Sequence, residues 1–214
     1  MSGLSLALAI AGLVWGVVAD RISARWPSHE DGSIRPVDWR TVVVPVVGAV
    51  ALGQLGRRFD DAGTIAIYVA VFLALVLMLA TDLDQRVLPD ELTLPLAGLA
   101  AVYGLTGLNP LIGHAVPGAM LPALIGAIAI PAVFFVLSLP FGAGAFGGGD
   151  VKLLFGVGLL AGLERTGLGV VVGVLVAGVT IFVLLGTRRV GLKTFVPYGP
   201  FLIIGAIWAV LLQS

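Results

Sequence analysis

The chain of 214 residues has no cysteine and few other metal-binding side chains. Without cysteine there can be no disulfide and no thiolate metal site, and only two histidines, His29 and His114, remain as imidazole ligands. We therefore expect no metal site. The formal net charge is zero and no basic tract occurs, so nucleic acid is not an expected partner either.

Charged residues are scarce and apolar residues abundant. Only 11% of the residues are charged and 59% are apolar, and the mean hydropathy is +1.11, whereas soluble proteins carry about 25% charged residues. We predict an all-α, polytopic membrane protein, a helical bundle that forms a single membrane-embedded domain over residues 1–214. The apolar N-terminal run lacks a preceding basic residue and a cleavage site, so we interpret it as a retained first span.

The apolar runs predict about eight transmembrane helices, because their lengths approach the roughly 20 residues that cross a bilayer. They cover about residues 3–19, 42–56, 63–81, 92–113, 118–140, 151–163, 167–187 and 198–212. The second and sixth are short for a full crossing, so we expect tilting, kinking or partial re-entry there.

The basic residues predict the orientation of these spans. Nine of the twelve Lys and Arg residues fall in the loops between spans 1 and 2, 3 and 4, 5 and 6, and 7 and 8, and the other three are Arg57, Arg58 and Arg165. Because cytoplasmic loops carry the excess of positive charge, we expect both termini outside and the first group of loops in the cytoplasm. Residues 20–41 form a cytoplasmic loop too short for a core of its own.

Two acidic residues at span ends are the candidate functional groups. Between Glu91 and Asp150 the chain carries no charged residue, and Asp150 directly follows three glycines. Two predicted spans separate it from Asp82, which ends the third apolar run, so both acids are expected at the cytoplasmic face. An ionisable group at the edge of the hydrocarbon is costly and marks a functional site in a membrane protein.

Each acid also has a structural interpretation. Asp150 could cap the N terminus of the sixth span, with the glycines as a flexible connection. Asp84, Asp90 and Glu91 fit solvated loop charges, and Asp90 could help to start the next helix. Asp82 faces the negative end of a helix dipole, so a structural role is harder to find for it.

A pair of close carboxylates suits the chemistry of an aspartic protease. Like charges a few ångströms apart cannot both ionise cheaply, so the pair shares one proton. The ionised member takes a proton from water as the water attacks a peptide carbonyl, and the protonated member polarises that carbonyl and later helps the amine to leave. Proteolysis of this kind requires no metal or cofactor. Glycines beside one acid would let a substrate backbone approach closely.

Three segments, in order, resemble the type IV prepilin peptidase family of intramembrane aspartyl proteases. The segment "FGGGDVKLL" resembles the family's G-x-G-D motif, with a lysine two places after the aspartate. The segment "TDLDQRVLPDELTLPL", residues 81–96, resembles the family's aspartate at the end of a span followed by Leu-Pro-Asp. The segment "VPYGPFLIIGA", residues 196–206, is similar to the Pro-x-Gly-Pro-Phe that precedes the last helix. The match runs from about residue 70 to the C terminus.

The resemblance assigns roles to the residues of these motifs. It implies that Asp82 and Asp150 are the catalytic pair, with Asp84 as the alternative to Asp82. It also implies a group of supporting or substrate-binding residues: Asp84, Pro89, Asp90, Gly147, Gly148, Gly149, Lys152, Pro197, Gly199 and Pro200. For Lys152, a side chain that snorkels towards the interface is the alternative.

The resemblance also implies a function, an aspartic endopeptidase in the inner (cytoplasmic) membrane. Its substrates would be prepilin or pseudopilin proteins of type IV pili, competence pili or type II secretion, cleaved of a short basic leader at the cytoplasmic face. The acidic residues near Asp82 would suit a basic leader. Many family members carry two Cys-x-x-Cys pairs that bind zinc and also methylate the new N terminus with S-adenosylmethionine. The cysteines are absent here, so zinc is not expected and methylation is left open.

Two other classes of protein are alternatives. A proton-coupled transporter also uses paired intramembrane acids and helices broken by Gly or Pro, but it predicts acids at mid-membrane and internal repeats. Here the acids lie at one predicted face and no repeat is visible. An inactive scaffold of a secretion machine gives no reason for both acids to stand within their motifs.

Overall fold

A computed structural model describes residues 3–29, 32–113, 120–139, 147–188 and 198–212. Seven α-helices and no β-strand occur in these ranges, so the all-α prediction is confirmed. The helices are α1 (Gly3–Ser23), α2 (Arg40–Arg58), α3 (Ala62–Gln85), α4 (Asp90–Leu105), α5 (Met120–Ser138), α6 (Gly148–Gly186) and α7 (Gly199–Leu211).

The helices agree with the predicted spans in position but differ at several ends. Four of the described helices, α1, α3, α5 and α6, are long and apolar enough to cross a membrane. The fourth predicted span, 92–113, is too long, since α4 ends at Leu105 and the chain then turns at Gly107 with a φ of 70°. The sixth and seventh predicted spans both lie on α6.

The helix α6 is broken at Gly162, where φ is 76° and ψ is 178°. The Thr166 hydroxyl donates a hydrogen bond to the Val157 carbonyl at 3.2 Å, although nine residues of straight helix would separate them by about 13 Å. The chain therefore bends sharply at Gly162, and glycine suits this position because its φ is positive.

The buried side chain of Asn109 hydrogen-bonds to the backbone next to this break. The Asn109 amide nitrogen donates to the Leu160 carbonyl at 2.8 Å, and its amide oxygen accepts the Tyr68 hydroxyl at 2.7 Å. A carbonyl freed inside a membrane needs such a partner. The turn after α4 thus stabilises the bend in α6.

The helix α3 lies at the centre of the bundle and packs against α1, α2, α4 and α7. Its largest side chains, among them Tyr68, Phe72 and Met78, are fully buried. The helices α1 and α2 approach closely, since a Cβ on Gly12 would lie 2.6 Å from the Gly48 carbonyl carbon. Apolar side chains on the outer faces of α1, α5 and the end of α6 are exposed, as lipid-facing side chains are.

Candidate active site

The last turn of α3 carries both Asp82 and Asp84. The helix continues through Gln85 and ends at Arg86, whose φ is 58°. Both acids are buried: Asp82 is 4% exposed and the Asp84 side chain 3%. The interpretation of Asp84 as a solvated loop charge is therefore wrong.

The carboxylate of Asp82 is poorly hydrogen-bonded. Among the described residues, no hydrogen-bond partner reaches its buried Oδ2. The first residue of α7, Gly199, packs directly against this carboxylate, because a Cβ on Gly199 would lie 2.6 Å from the Asp82 Cγ and 2.8 Å from Oδ1. Contacts this short are sterically forbidden, so the start of α7 can close over Asp82 only without a side chain at position 199.

Asp150 is the third residue of α6 and is partly exposed. Its Oδ2 accepts a hydrogen bond from the backbone N–H of Gly147 at 3.2 Å, the residue that precedes the helix. This is the contact that an acid at the third helical position makes in a capping box. The carboxylate therefore helps to start the helix from the third position rather than from the N-cap, and one oxygen is oriented by this bond.

Contacts between neighbouring segments place the two acids at the same end of the bundle. A Cβ on Gly149 would lie 2.7 Å from the Leu88 Cβ, so the start of α6 packs on the turn between α3 and α4. The charges of Asp82 and Asp150 interact across this junction. Asp82 and Asp150 therefore lie at the same end of the bundle.

Lys152 and Asp90 link the same two segments. The Lys152 Nζ lies 2.6 Å from Asp90 Oδ1 and 2.7 Å from Oδ2. Asp90 is the first residue of α4, and it uses its carboxylate for this ion pair rather than for capping. Lys152 therefore does more than snorkel towards an interface. Both side chains are exposed, so the pair adds little stability by itself.

The other motif residues lie around this junction. Gly149 is explained by its packing on Leu88, whereas Gly148 has no atom within 4 Å of its Cβ position and borders open space. A Cβ on Gly147 would lie 3.3 Å from the Asp150 Oδ2. Pro89 directly precedes α4, and Pro200 is buried at the second position of α7. Pro197 lies outside the described residues.

Asp84 is the centre of a buried ion-pair cluster that the sequence did not predict. Its Oδ1 lies 2.9 Å from the Arg35 Nε and 3.1 Å from the Arg40 Nη1, and its Oδ2 lies 3.3 Å from the His29 Nε2. Arg35 and His29 come from the loop between α1 and α2, and Arg40 begins α2. The charge of Asp84 is therefore compensated by basic groups from the N-terminal hairpin, which consists of α1, α2 and the loop between them.

Arg35 connects this cluster to α1. It is paired with the fully buried Asp20 and lies 2.7 Å from Asp38 Oδ1. Burial alone would lower the pKa of Arg35, but its hydrogen bond to Asp20 and the charges of Asp20, Asp84 and Asp38 raise this pKa above its ordinary value. The guanidinium stays charged and ties the loop between α1 and α2 to both helices.

A further contact fixes the same loop next to Asp82. The Gln85 Nε2 donates to the Pro27 carbonyl at 2.6 Å. The loop between α1 and α2, predicted to be too short for a core of its own, is packed on the end of α3. Within the described ranges, no group of three or more His, Asp or Glu residues is arranged to hold a metal ion.

An apolar groove of about 450 Å³ opens beside Asp150, between α4, α5 and α6. Val151 and Phe155 line it on α6, and Ala132 lines it on α5. Thr93 on α4 also borders the groove, and its hydroxyl is buried without a hydrogen-bond partner in the described residues. Val151 and Lys152, the two residues that follow Asp150, both line the groove.

Residues 69–192 match the sequence model of the type IV leader peptidase family, over a range that contains Asp82, Asp150 and the groove. The chain belongs to the type IV leader peptidase family. The resemblance to this family is thereby confirmed, and two of the three motifs, those that contain Asp82 and Asp150, lie within the matched residues. Together with the apolar helices, membership in this family of membrane peptidases identifies a membrane protein.

Curated relatives of this type IV leader peptidase homologue share its sequence over most of its length. The prepilin leader peptidase/N-methyltransferase of Aeromonas salmonicida is 32% identical over 193 residues, which are 89% of this chain and 59% of the relative. The protein of the same name from Pseudomonas aeruginosa is 28% identical over 173 residues, 81% of this chain and 58% of the relative. The chain thus spans about half the length of its curated relatives. No solved structure matches it.

Proposed function

We propose that this type IV leader peptidase family member is an aspartic endopeptidase that removes the leader from prepilin or pseudopilin proteins. The observation that carries the proposal is the meeting of three motifs at one end of the bundle. Asp82 lies under Gly199 and interacts electrostatically with Asp150. The relatives are named prepilin leader peptidases, which supports the substrate class. Nothing in the comparisons supports the alternative of a proton-coupled transporter.

The geometry supports a mechanism in which Asp82 and Asp150 share one proton. The ionised carboxylate accepts a proton from water while the water oxygen attacks the scissile carbonyl carbon. The protonated carboxyl donates to the carbonyl oxygen, and the amine leaves with a proton as the C–N bond breaks. The Gly147 N–H holds one oxygen of Asp150, so the other oxygen is free to face the water. No cofactor takes part in these steps.

The apolar groove beside Asp150 is assigned to the apolar segment that follows the scissile bond. It begins at Val151, one residue after the acid, and its walls are formed almost wholly by apolar side chains. Gly148 borders open space at the same junction, where an extended backbone could pass. An apolar helix in the groove would hold the preceding peptide bond near both acids.

The proposed setting is the inner membrane, with the acid pair at the cytoplasmic face. The sharp bend at Gly162 supports a count of eight spans, because it lets the two parts of α6 cross separately. Nine basic residues in alternate loops support the orientation. The remaining three, Arg57, Arg58 and Arg165, would face the other side.

Leader removal by purified alanine variants tests the proposal. Asp82→Ala and Asp150→Ala should each abolish the size change of a prepilin-like substrate and still be recovered folded from membranes. Asp60→Ala, which removes an exposed acid beyond the far end of α2, is the matched control and should cleave normally. Full activity in either of the first two variants would remove that residue from the mechanism.

Two further measurements address cofactors. A chelator should leave cleavage unchanged, since the chain lacks the cysteines that bind zinc in many family members. Loss of cleavage that zinc alone restores would contradict this expectation. The relatives are also named N-methyltransferases, and S-adenosylmethionine would be needed only if methylation is retained. The mass of the mature N terminus, with and without S-adenosylmethionine, shows whether a methyl group is added.

A further inference from the structure

Three arginines that take no part in the proposed chemistry converge at the end of the bundle away from the acid pair. Arg57 and Arg58 end α2, and Arg165 follows the bend in α6. The ends of the chain segments that carry them are far apart in sequence, yet the charges of Arg58 on α2 and Arg165 on α6 lie close enough to repel each other. These are also the three basic residues that the charge pattern assigned to the opposite face.

Two of the arginines line a small cavity of about 240 Å³, whose walls are formed by Gln54, Arg57, Arg58 and Leu211. Arg165 is held beside it, because its Nη1 donates to the carbonyl of Leu212. The position of this guanidinium is therefore fixed by the backbone of the residue that follows α7.

The two arginines that line the cavity have no ion-paired carboxylate in the described part of the chain, whereas the charge of Glu164 acts on Arg165. In the described ranges, no acid lies within ion-pair distance of Arg57 or Arg58, and the Arg58 Nε is buried without a hydrogen-bond partner. The Arg58 guanidinium lies over the Phe59 ring, 5.0 Å from its centre. The dipole of α2 explains basic residues in its last turn, but it does not explain why Arg165 joins them. Arg58 is only partly exposed and Arg165 is buried, and guanidinium groups that lie close together with little access to water are stabilised by a bound anion.

We propose that this cavity binds the phosphate group of an anionic phospholipid. Guanidinium forks match phosphate oxygens in pairs, and Gln54 adds an amide donor. The helix α2 starts at Arg40 in the Asp84 cluster and has 19 residues, so Arg58 lies about 28 Å from that end. This length is close to the hydrocarbon thickness of a bilayer, which puts the cavity at the level of the lipid phosphates.

Lipid-dependent thermal stability tests the site in the purified full chain. Tm in neutral detergent is followed while phosphatidylglycerol, phosphatidylcholine or inorganic phosphate is added. Phosphatidylglycerol should raise the Tm of the wild type more than phosphatidylcholine does. Arg57→Gln/Arg58→Gln should need at least about tenfold more phosphatidylglycerol for the same shift, because each charged hydrogen bond is worth roughly tenfold in affinity.

A charge-matched control separates this site from general attraction. Arg25→Gln/Arg188→Gln removes two exposed basic residues elsewhere and should keep the wild-type response. If the double variant folds poorly, Arg57→Gln alone changes one exposed side chain and should weaken the response about threefold. Native mass spectrometry should show one fewer tightly bound phosphatidylglycerol in the double variant.

The outcomes decide the proposal and its source of phosphate. A full shift with inorganic phosphate alone would identify a site for the free anion and support the phosphate chemistry. An unchanged response to phosphatidylglycerol in Arg57→Gln/Arg58→Gln, or an equal loss in the control, would overturn it. Leader removal in detergent should be unchanged in all of these variants, so the result does not depend on the proposed activity.

Discussion

Asp82 and Asp84 stand two residues apart on the same turn of α3 and have opposite surroundings. Asp84 is in contact with three basic side chains, and all of them belong to the N-terminal hairpin. Asp82 is equally buried, yet its Oδ2 has no hydrogen-bond partner in the described part of the chain, and Gly199 packs against it. Burial therefore does not distinguish the ion-paired acid from the acid that we propose to be catalytic. The difference lies in whether the surrounding residues neutralise the charge.

The largest effects should come from replacing each acid by asparagine, because the two variants should fail in opposite ways. Asp82→Asn should lower leader removal by at least about a thousandfold and leave the free energy of unfolding unchanged or higher, since it removes a buried carboxylate whose Oδ2 has no hydrogen-bond partner in the described residues. Asp84→Asn should keep cleavage in the folded fraction but lower the free energy of unfolding by about 3 kcal/mol, because buried cations lose their partner.

Cleavage assays and denaturant unfolding of both variants in the same detergent measure this contrast. A less stable Asp82→Asn with normal cleavage, or a stable Asp84→Asn that no longer cleaves, would reverse the assignment. Glu91→Gln, at an exposed acid near the start of α4, serves as the control and should change neither quantity appreciably.

The second largest effect should follow from Gly199→Ala. The added Cβ would overlap the Asp82 carboxylate, so either the start of α7 or the acid must move. A displacement of about 1 Å at a reacting group can cost roughly a hundredfold in rate, and we expect kcat to fall by this order with little change in KM. Gly178→Ala is the matched control, because no atom lies within 4 Å of its Cβ position. Equal activity of the two variants would show that Asp82 tolerates the crowding.

The sequence alone predicts those parts of the fold that depend on local composition. Apolar runs identify the positions of the helices, and the spacing of two runs between Asp82 and Asp150 brings these acids to one end of the bundle. The motif that contains Gly199 is recognisable, but its contact with Asp82 is not, because nothing local shows which side chain a glycine will touch. The contact of Gly199 with the Asp82 carboxylate gives a steric reason for a glycine at this position.

The ion-pair cluster and the break in α6 are beyond local prediction for a different reason. Arg35 and Asp84 are 49 positions apart, and charge counts do not say which acid pairs with which base. The sequence does hint at ion pairs in this region, because acidic and basic residues occur together in the loop between α1 and α2. At Gly162 the surrounding run stays apolar, and the partner of the exposed carbonyl, Asn109, lies in a distant turn.

A smaller effect is expected from substitutions in the groove, which should alter substrate binding rather than the two acids. Ala132→Phe would occupy apolar space beside Val151, and we expect KM for a prepilin-like substrate to rise roughly tenfold with a modest change in kcat. Val133→Phe adds the same ring to the next, lipid-exposed position of α5 and should leave KM unchanged. Identical KM values in the two variants would exclude the groove as the site of the apolar segment.

The smallest effect is expected from Lys152→Gln, which removes the ion pair with Asp90. This pair is exposed, whereas the Asp84 cluster is buried. The Lys152 and Asp90 side chains are 41% and 54% exposed, so solvent screens their attraction and its loss should cost under about 1 kcal/mol. Cleavage should fall no more than a few fold. A loss comparable with Asp82→Asn would instead show that Lys152 acts in the reaction, and Asp90→Asn then tells whether the pair or the lysine alone is required.

The Asp84 cluster also ties the segment matched by the family to the N-terminal hairpin. The segment matched by the family, residues 69–192, contains Asp84 but none of Arg35, Arg40 and His29. Expressed alone, this segment would carry Asp84 in the last turn of α3 without the three basic side chains that pair with it. Supplying the N-terminal hairpin as a separate chain should restore the missing charges, so the two fragments are expected to be recovered together from membranes and the peptidase segment to be degraded when expressed alone.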